Sequence, residues 1–206
     1  MSKVKITGHA SGSGTITLTG PNTSSDRTIT LPDATGTALM TDGSGVSLTA
    51  LNGTQVTSGT VPAARMPAGS VIQVVNATTG STGTSTSTTF ADTSLTATIT
   101  PSSSSNKILV TVHQSGLGKS EANENYARYR LLRGASVICN FEMQAGFTLT
   151  SIRNLVGGSG CSYLDSPSTT SATTYKTQYN TSGAGDTVVV QANSSISTIT
   201  LMEIAG

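Results

Sequence analysis

GTITLTGPNTSSDRTITLPDATGTALMT, residues 14–41, contains the same short Thr-rich pattern twice. Residues 15–18 read TITL and residues 28–31 repeat it, so Thr alternates with Ile or Leu at the two-residue period of a half-buried strand. Turn-forming Gly, Pro, Asn, Asp and Ser residues follow the copies. A unit this small cannot bury its apolar face alone, so it must pack against other copies, which a symmetric oligomer supplies. The pattern indicates a fibrous assembly protein rather than an enzyme.

The composition favours a folded all-β protein. Ser and Thr make up roughly a third of the 206 residues, well above average usage, while 10% are charged and 4% aromatic. A chain this polar could be disordered, but 35% of its residues are hydrophobic and they fall in alternating blocks. Thr also favours strands, whereas disordered chains are rich in Glu, Lys and Gln.

The charge and hydropathy of the chain exclude two classes of partner. A formal net charge of +1 provides no field for nucleic acid. No run approaches the roughly 18 consecutive apolar residues of a membrane span, and the N-terminal MSKVKI has no apolar segment behind its basic residues. We therefore expect no nucleic-acid partner, no membrane insertion and no secretory signal.

The two cysteines, Cys139 and Cys161, allow two interpretations. They could form a disulfide or hold a metal, or they could be two small apolar side chains of the core. The chain has neither CxxC spacing nor a predicted secretory signal, and assembly in a cytosol keeps thiols reduced. The second interpretation is therefore favoured.

Composition divides the chain into three regions. Residues 1–45 form the predicted β-repeat arm, which would serve attachment and trimerisation. Residues 46–69 are richer in Gly, Pro, Thr and Ala, and Pro62 and Pro67 favour extended backbone there, which predicts a connector or short shaft. Residues 70–206 are predicted to form a compact domain.

This domain has the strand pattern of a jelly-roll-like β-sandwich. Strands are predicted at residues 71–75, 95–99, 107–112, 126–132, 136–141, 147–152, 173–179, 187–190 and 198–204, with turns at Arg133-Gly134, Ala145-Gly146 and residues 182–186. Residues 121–133 could form a helix by propensity, but the alternation within residues 126–131 favours a strand. Eight or nine strands over this length is the number found in a two-sheet jelly roll.

Three of these patterns are apolar on both faces, at residues 71–75, 188–190 and 201–204. In a monomeric sandwich one face of each strand should be polar. The excess of apolar residues suits a subunit interface, and central strands covered by loops are the alternative. The residues expected at a homotrimer interface are Val71, Val74, Val189, Met202 and Ile204.

Three stretches resemble the tail-fibre proteins of tailed bacteriophages. ITLPDATGT (29–37) is similar to their N-terminal repeats, GTVPAARMP (59–67) to the connector before their C-terminal head, and ATITPSSSSNKI (97–108) to the start of a jelly-roll head. The resemblance implies that the N-terminal arm is attached to a tail or baseplate protein. It also implies a place in the virion tail after assembly in the host cytoplasm, and release by lysis fits the lack of a secretory signal. The two-sided apolar strands are of the kind that trimeric jelly-roll heads of the tumour-necrosis-factor type pack around a threefold axis.

No catalytic residue, cofactor or metal site is predicted, and we expect the chain not to be an enzyme. His113 continues the outward face of the strand pattern 108–112, so a surface or interface position is expected rather than a Ser-His-Asp triad. Metal-ligand spacing and a Gly-rich phosphate loop are missing. The acidic residues of the head lie mostly in predicted loops and a long β-helix body is missing, which disfavours a glycosidase.

Binding is better supported, because polar and aromatic residues crowd the predicted loops 120–126 and 157–163, and Tyr175 and Tyr179 share one face of a strand. Such side chains recognise sugars and other polar ligands by hydrogen bonds and stacking. The expected partner is a host cell-surface glycan or protein, and ordinary solvated loops are the alternative. The candidate receptor-binding residues are Asn123, Asn125, Tyr126 and Tyr163.

The sequence thus leads to one expectation and one rival. The chain is expected to be a homotrimeric tail fibre with an anchoring arm, a short shaft and a host-recognising head. The rival is a capsid decoration protein or head fibre whose arm clamps capsid subunits. Both are trimeric β structures, and the sequence leaves the choice between them open.

Overall fold

The computed structural model describes residues 61–120, 124–149 and 154–206, together with Ser11 and Ser24. The chain divides into two units, Met1–Thr57 and Ser58–Gly206, and residues 61–206 belong to the second. The predicted arm, residues 1–45, and the predicted connector up to residue 60 therefore lie outside the described residues, apart from those two serines.

The described part is built from strands. They are β1 (Val71–Thr79), β2 (Gly83–Ser85), β3 (Ala91–Ile99), β4 (Lys107–Lys119), β5 (Asn125–Arg133), β6 (Ser136–Thr148), β7 (Asn154–Asp165), β8 (Thr173–Thr181), β9 (Val188–Val190) and β10 (Ser197–Ile204). The helices described are two 3-10 helices, Ala63–Arg65 and Ala192–Ser194. No helix in these ranges is long and apolar enough to cross a membrane.

The strands form two antiparallel sheets. In sheet one, β4 pairs with β10 and β7 on its two sides, β1 lies outside β10, and the short β9 and β2 extend the end of β4. Sheet two has the order β3-β8-β5-β6. Without β2 and β9, the eight long strands follow the order of a jelly roll. The prediction of an all-β fold with two antiparallel sheets is confirmed.

The core lies between the sheets because alternate residues of each strand point inward. In β10, for example, Ile199 and Leu201 are fully buried, while Thr200 and Met202, which alternate with them, are half-buried. One apolar cluster joins both sheets near the start of β4, and its largest members are Leu95, Ile99, Ile108, Leu131, Tyr175, Ile199 and Leu201. A second cluster near the end of β4 contains Leu117, Tyr129, Tyr179, Val188 and Val190. Each buried aliphatic or aromatic side chain contributes roughly 1.5–3 kcal/mol.

A network of buried polar side chains also links the two sheets. Gln114 of β4 accepts a hydrogen bond from the hydroxyl of Thr177 in β8 (2.8 Å) and donates one to the hydroxyl of Ser197 in β10 (3.0 Å). Gln191 donates a second hydrogen bond to Ser197 (3.0 Å). All four residues are 0% exposed. Buried polar groups lose several kcal/mol when they are left unpaired, so this network fixes how the sheets face each other.

The predicted strand at residues 126–132 lies within β5, and the alternative of a helix there is wrong. The predicted turn at Ala145-Gly146 is also wrong, because β6 runs through these residues and both are buried. Gly146 has a φ of 72°, a conformation that glycine adopts readily. The Gly-based prediction of a turn therefore identified a local irregularity within a continuous strand. The predicted strand at residues 147–152 is described only to residue 149, and it belongs to β6 through Thr148.

The prediction of a loop at residues 157–163 is wrong, because these residues belong to β7 and pair with β4. Their glycines allow close pairing rather than a loop. A Cβ atom at Gly160 would lie 2.2 Å from the carbonyl oxygen of Val112, so only glycine fits at this point of the sheet. The Gly-rich composition led to the prediction of a loop where the chain forms a strand.

Candidate functional site

The connector and the C-terminus lie at one end of the sandwich, which we call the connector end. At the connector end, the backbone N–H of Gly69 donates to the carbonyl of Ala205 (2.8 Å), and the N–H of Ala205 donates to the carbonyl of Ser70 (2.9 Å). The loop after β3 and the C-terminus lie at this end. The opposite, distal end carries the β1–β3, β4–β5 and β8–β10 connections. The 13 residues of β4 run from one end to the other, about 40 Å apart.

Buried Glu203 organises the connector end. It is 0% exposed, and its carboxylate accepts hydrogen bonds from the side chains of Gln73 (2.5 Å) and Asn106 (2.6 Å) and from the backbone N–H (2.6 Å) and hydroxyl (2.8 Å) of Ser102. Asn106 in turn accepts from the N–H of Gly206 (3.1 Å). The serine-rich loop before β4 is therefore held to the last strand through one carboxylate.

These hydrogen bonds also decide the charge of Glu203. Burial alone raises the pKa of a carboxyl group, but the donors on Asn106, Gln73 and Ser102 outweigh burial and lower the pKa of Glu203 below its usual value of 4.5. The carboxylate is thus ionised at neutral pH, and it forms no ion pair within residues 61–120, 124–149 and 154–206. Its donors occupy both oxygens, so the group has a structural role.

The outer face of sheet one carries a continuous apolar row. Val74 lies beside Met202, Met202 beside Leu109, and Leu109 beside Leu164, so the row crosses β1, β10, β4 and β7. Val74 is 56% and Leu164 52% exposed. Four strands about 4.8 Å apart make the row about 15 Å wide.

Val71 and Ile204, which pair with each other, extend the row toward the connector end. We call these six residues (Val71, Val74, Leu109, Leu164, Met202 and Ile204) the apolar face. Four of the five residues predicted for a trimer interface lie on it. The fifth, Val189, pairs with Thr84 and Gly118 at the distal end, about 30 Å away along β4.

Val189 lines an open depression at the distal end. The depression has a volume of about 440 Å³, and its other lining residues are mostly hydroxyl-bearing: Thr82, Thr84, Ser120, Thr187 and Ser194, with Ala192 and Asn193. A shallow and mostly polar surface suits weak contact with a polar ligand better than close packing of subunits. The structure thus separates Val189 from the apolar face.

The four receptor-binding candidates do not lie together. Asn125 is 0% exposed, and its side-chain oxygen accepts hydrogen bonds from Thr181 (2.7 Å) and Ser182 (2.9 Å). Tyr163 lies in β7 and packs against the core. Asn123 lies outside the described residues. Tyr126 alone of the three described candidates points outward, from the outer face of sheet two near the distal end.

Two further tyrosines that the sequence suggested for binding are core residues. Tyr175 is 0% and Tyr179 4% exposed. The Tyr175 hydroxyl donates to Asp165 (2.6 Å), which also accepts two hydrogen bonds from Arg133 (2.9 and 3.0 Å). Burial and this carboxylate raise the pKa of Tyr175. His113, by contrast, is exposed on the outer side of sheet one, as predicted.

The outer face of sheet two is polar and charged, and we call it the charged face. Gln178 at its centre accepts two hydrogen bonds from Arg130 (3.0 and 2.7 Å) and donates to Asp92 (2.8 Å). Lys176 forms an ion pair with the same Asp92 (2.9 Å). Arg128 lies two residues before Arg130 on the same side of β5. Arg128 and Arg130 alternate with buried residues of β5, so their shared direction could be read from the sequence, whereas their partners could not.

The two cysteines meet where the sheets adjoin, with Cys139 in β6 and Cys161 in β7. Both are half-buried free thiols packed against the core. The pKa of Cys161 is raised to about 12, mainly by burial and to a smaller extent by the charge and the hydrogen bond of Cys139. Within residues 61–120, 124–149 and 154–206, no group of three His, Cys, Asp or Glu side chains could hold a metal ion.

Comparison with known proteins identifies no family. No family model matches the chain, and no curated protein matches its sequence. Among solved structures, the chain is similar to the VP2 subviral particle of infectious bursal disease virus (15% identity, TM-score 0.41) and to the structure of the Gx strain of that virus (14%, 0.39). Each match covers 66% of this chain, which spans about a third of that protein, 34%. Likeness at this level transfers no function.

Proposed function

We propose that the chain is a structural protein of a bacteriophage virion, a homotrimeric tail fibre. Its N-terminal arm is held by a tail or baseplate protein, and its C-terminal head contacts a glycan or protein on the host surface. The observation that carries the proposal is the separation of the two ends of the head. The connector enters beside the C-terminus, while the depression and the outward Tyr126 lie toward the other end.

This arrangement suits a protein that is attached through its N-terminal region. A head anchored at the connector end presents its distal loops to the outside, and loops on a rigid scaffold are where binding residues concentrate. The polar depression then gives shallow recognition, which a trimer strengthens because three linked sites bind with avidity.

The apolar face supports the trimer. Contiguous apolar patches on soluble proteins mark interaction sites, and this one spans the full width of a sheet instead of forming a groove. An apolar face of this kind can pack against other copies of itself around a symmetry axis. Three copies that turn this face inward would leave the charged face in solvent.

The proposal assigns no enzymatic activity to the head. Three of its carboxylates are engaged in structural contacts, Glu203 with the loop before β4, Asp165 with Arg133 and Tyr175, and Asp92 with Lys176 and Gln178. Groups held in this way are not available as a general acid and base pair.

Two measurements test the proposal. Purified full-length protein should bind susceptible cells and compete with phage adsorption, and immunogold labelling should place the protein on the tail. The capsid alternative gives the opposite result: labelling of the capsid, no competition, and particles without the protein that adsorb normally but lose heat or osmotic resistance. That result would overturn the tail-fibre proposal.

A further inference from the structure

Two arginines on the charged face have no carboxylate partner in the part of the chain that the structure describes. In the described residues, Arg133 pairs with Asp165 and Lys176 pairs with Asp92, whereas Arg128 and Arg130 form no ion pair. The two are alternate residues of β5, so they point to the same side about 7 Å apart. They place two positive charges on one strand of an open sheet face.

Each guanidinium group is positioned by an aromatic ring. The central carbon of Arg130 lies 3.7 Å from the centroid of the Phe90 ring, and that of Arg128 lies 5.1 Å from the Tyr126 ring. Both hydrogen bonds of Arg130 go to Gln178, and that of Arg128 goes to the Tyr126 hydroxyl (3.3 Å). These neutral contacts fix each guanidinium without cancelling its charge.

The groups that remain free suit an oxyanion. Nη1 of Arg128 and Nη1 of Arg130 make no hydrogen bond within the described residues. A guanidinium that is held in place and keeps N–H groups free donates charge-assisted hydrogen bonds to a carboxylate. The aromatic surface continues from Tyr126 to Phe147, whose ring centroid is 5.9 Å away and whose side chain is 43% exposed.

We propose that Tyr126, Arg128, Arg130 and Phe147 form a binding site for an acidic saccharide, one whose sugar rings carry carboxylates. This inference rests on the proposed function, because it names the class of host-surface ligand. The guanidiniums bind the carboxylates, and the exposed ring packs on the apolar side of a sugar.

The test uses full-length protein, short galacturonate oligomers as the acidic probe and dextran oligomers of equal length as the neutral one. Calorimetry at low salt should detect binding of the galacturonate and none of the dextran. Arg128→Gln and Arg130→Gln should each weaken binding about tenfold, because a charge-assisted hydrogen bond is lost. The matched control, Arg65→Gln, removes the same group from the 3-10 helix at the connector end and should change the affinity less than about twofold.

A lysine variant distinguishes specific hydrogen bonding by the guanidinium from non-specific electrostatic attraction. Arg128→Lys keeps the charge but loses the planar pair of donors, so it should weaken binding nearly as much as Arg128→Gln. Full affinity in Arg128→Lys, or equal losses in Arg128→Gln and Arg65→Gln, would overturn the site. Binding of dextran equal to that of galacturonate would do the same, and so would tighter binding of an oligoglutamate peptide. Unchanged melting temperatures show that the variants fold.

The inference and the proposed function fail in different ways. If wild-type protein competes with phage adsorption but does not bind galacturonate, the proposed function stands and the saccharide assignment is wrong. If wild-type protein does not compete at all, host recognition is wrong, whatever the protein binds in the calorimeter. If both hold, Arg128→Gln should also compete less well than Arg65→Gln.

Discussion

The two sheets pack against each other through their inner faces, but their outer faces differ in polarity. Sheet one presents Val74, Met202, Leu109 and Leu164 in a continuous row. Sheet two presents charged and amide side chains linked around Gln178. In a monomeric sandwich both outer faces would be polar. The connector-end part of the outer face of sheet one is therefore apolar where a solvent-facing sheet would be polar, and this is the basis of the proposed trimer.

The largest expected effect separates the core from both outer faces. Ile199→Asp places a carboxylate at a position that is 0% exposed and has no cation beside it, which costs at least about 3 kcal/mol and should abolish cooperative folding. Thr96→Asp, on the exposed outer side of sheet two, should leave the melting temperature within a few degrees. Circular dichroism on heating measures both. A folded Ile199→Asp variant would contradict the assignment of inner and outer faces.

The next effect distinguishes the two outer faces directly. Met202→Asp puts a charge in the middle of the apolar face, where subunit contact would strip it of water, so association should weaken by about a hundredfold or more. The chain should still fold, because Met202 points away from the core. Sedimentation against Thr96→Asp gives the comparison. If the Met202→Asp variant remained a trimer, the subunit interface could not include the centre of the apolar face.

Glu203 makes the end of sheet one sensitive to pH. Its pKa is lowered in the folded state, so its contribution to stability is present above pH 4.5 and is lost as the pH falls below that value. Glu203→Gln should cost about 1–3 kcal/mol at pH 7, because a donor replaces one acceptor, and should flatten the pH dependence of stability below pH 4.5. Urea unfolding at several pH values checks this. An unchanged acid profile in the variant would assign the effect to other carboxyl groups.

The smallest effect concerns the seam between the sheets. Cys161 of sheet one faces Cys139 of sheet two, and its pKa of about 12 leaves little thiolate at pH 8. It should therefore react with a thiol reagent at least about tenfold more slowly than a free cysteine, and at the ordinary rate in denaturant. Labelling of Cys139→Ser isolates Cys161, and burial, the first cause of its raised pKa, remains in that variant. Fast labelling of this variant in the native state would mean that the two sheets separate at this edge.

The sequence predicted much of the apolar face but could not complete it. Val71, Val74, Met202 and Ile204 belong to strands whose two-sided apolar pattern is visible locally. Leu109 and Leu164 complete the row through strand pairing, and Leu164 follows a glycine-rich run that reads as a loop. Val189 has the same local pattern but lies at the other end, since the position of β9 depends on long-range pairing.

The binding residues were harder to predict for the same reason. Tyr126 was identified from its own side chain, whereas Asn125 and Tyr163 have suitable chemistry but are turned into the structure. Arg128 and Arg130 alternate with core residues in the sequence, so their outward direction was predictable. Their lack of carboxylate partners and the stacking of Phe90 on Arg130, from 40 residues away, depend on the fold.

The mass of the full-length protein in solution tests the central claim most directly, because the proposed trimer requires copies of the chain to cover the apolar face. Sedimentation equilibrium at micromolar concentration should give a single species of about three times the 20.8 kDa chain mass. A stable monomer of 20.8 kDa that leaves the apolar face in water would contradict the trimer and the fibre built on it.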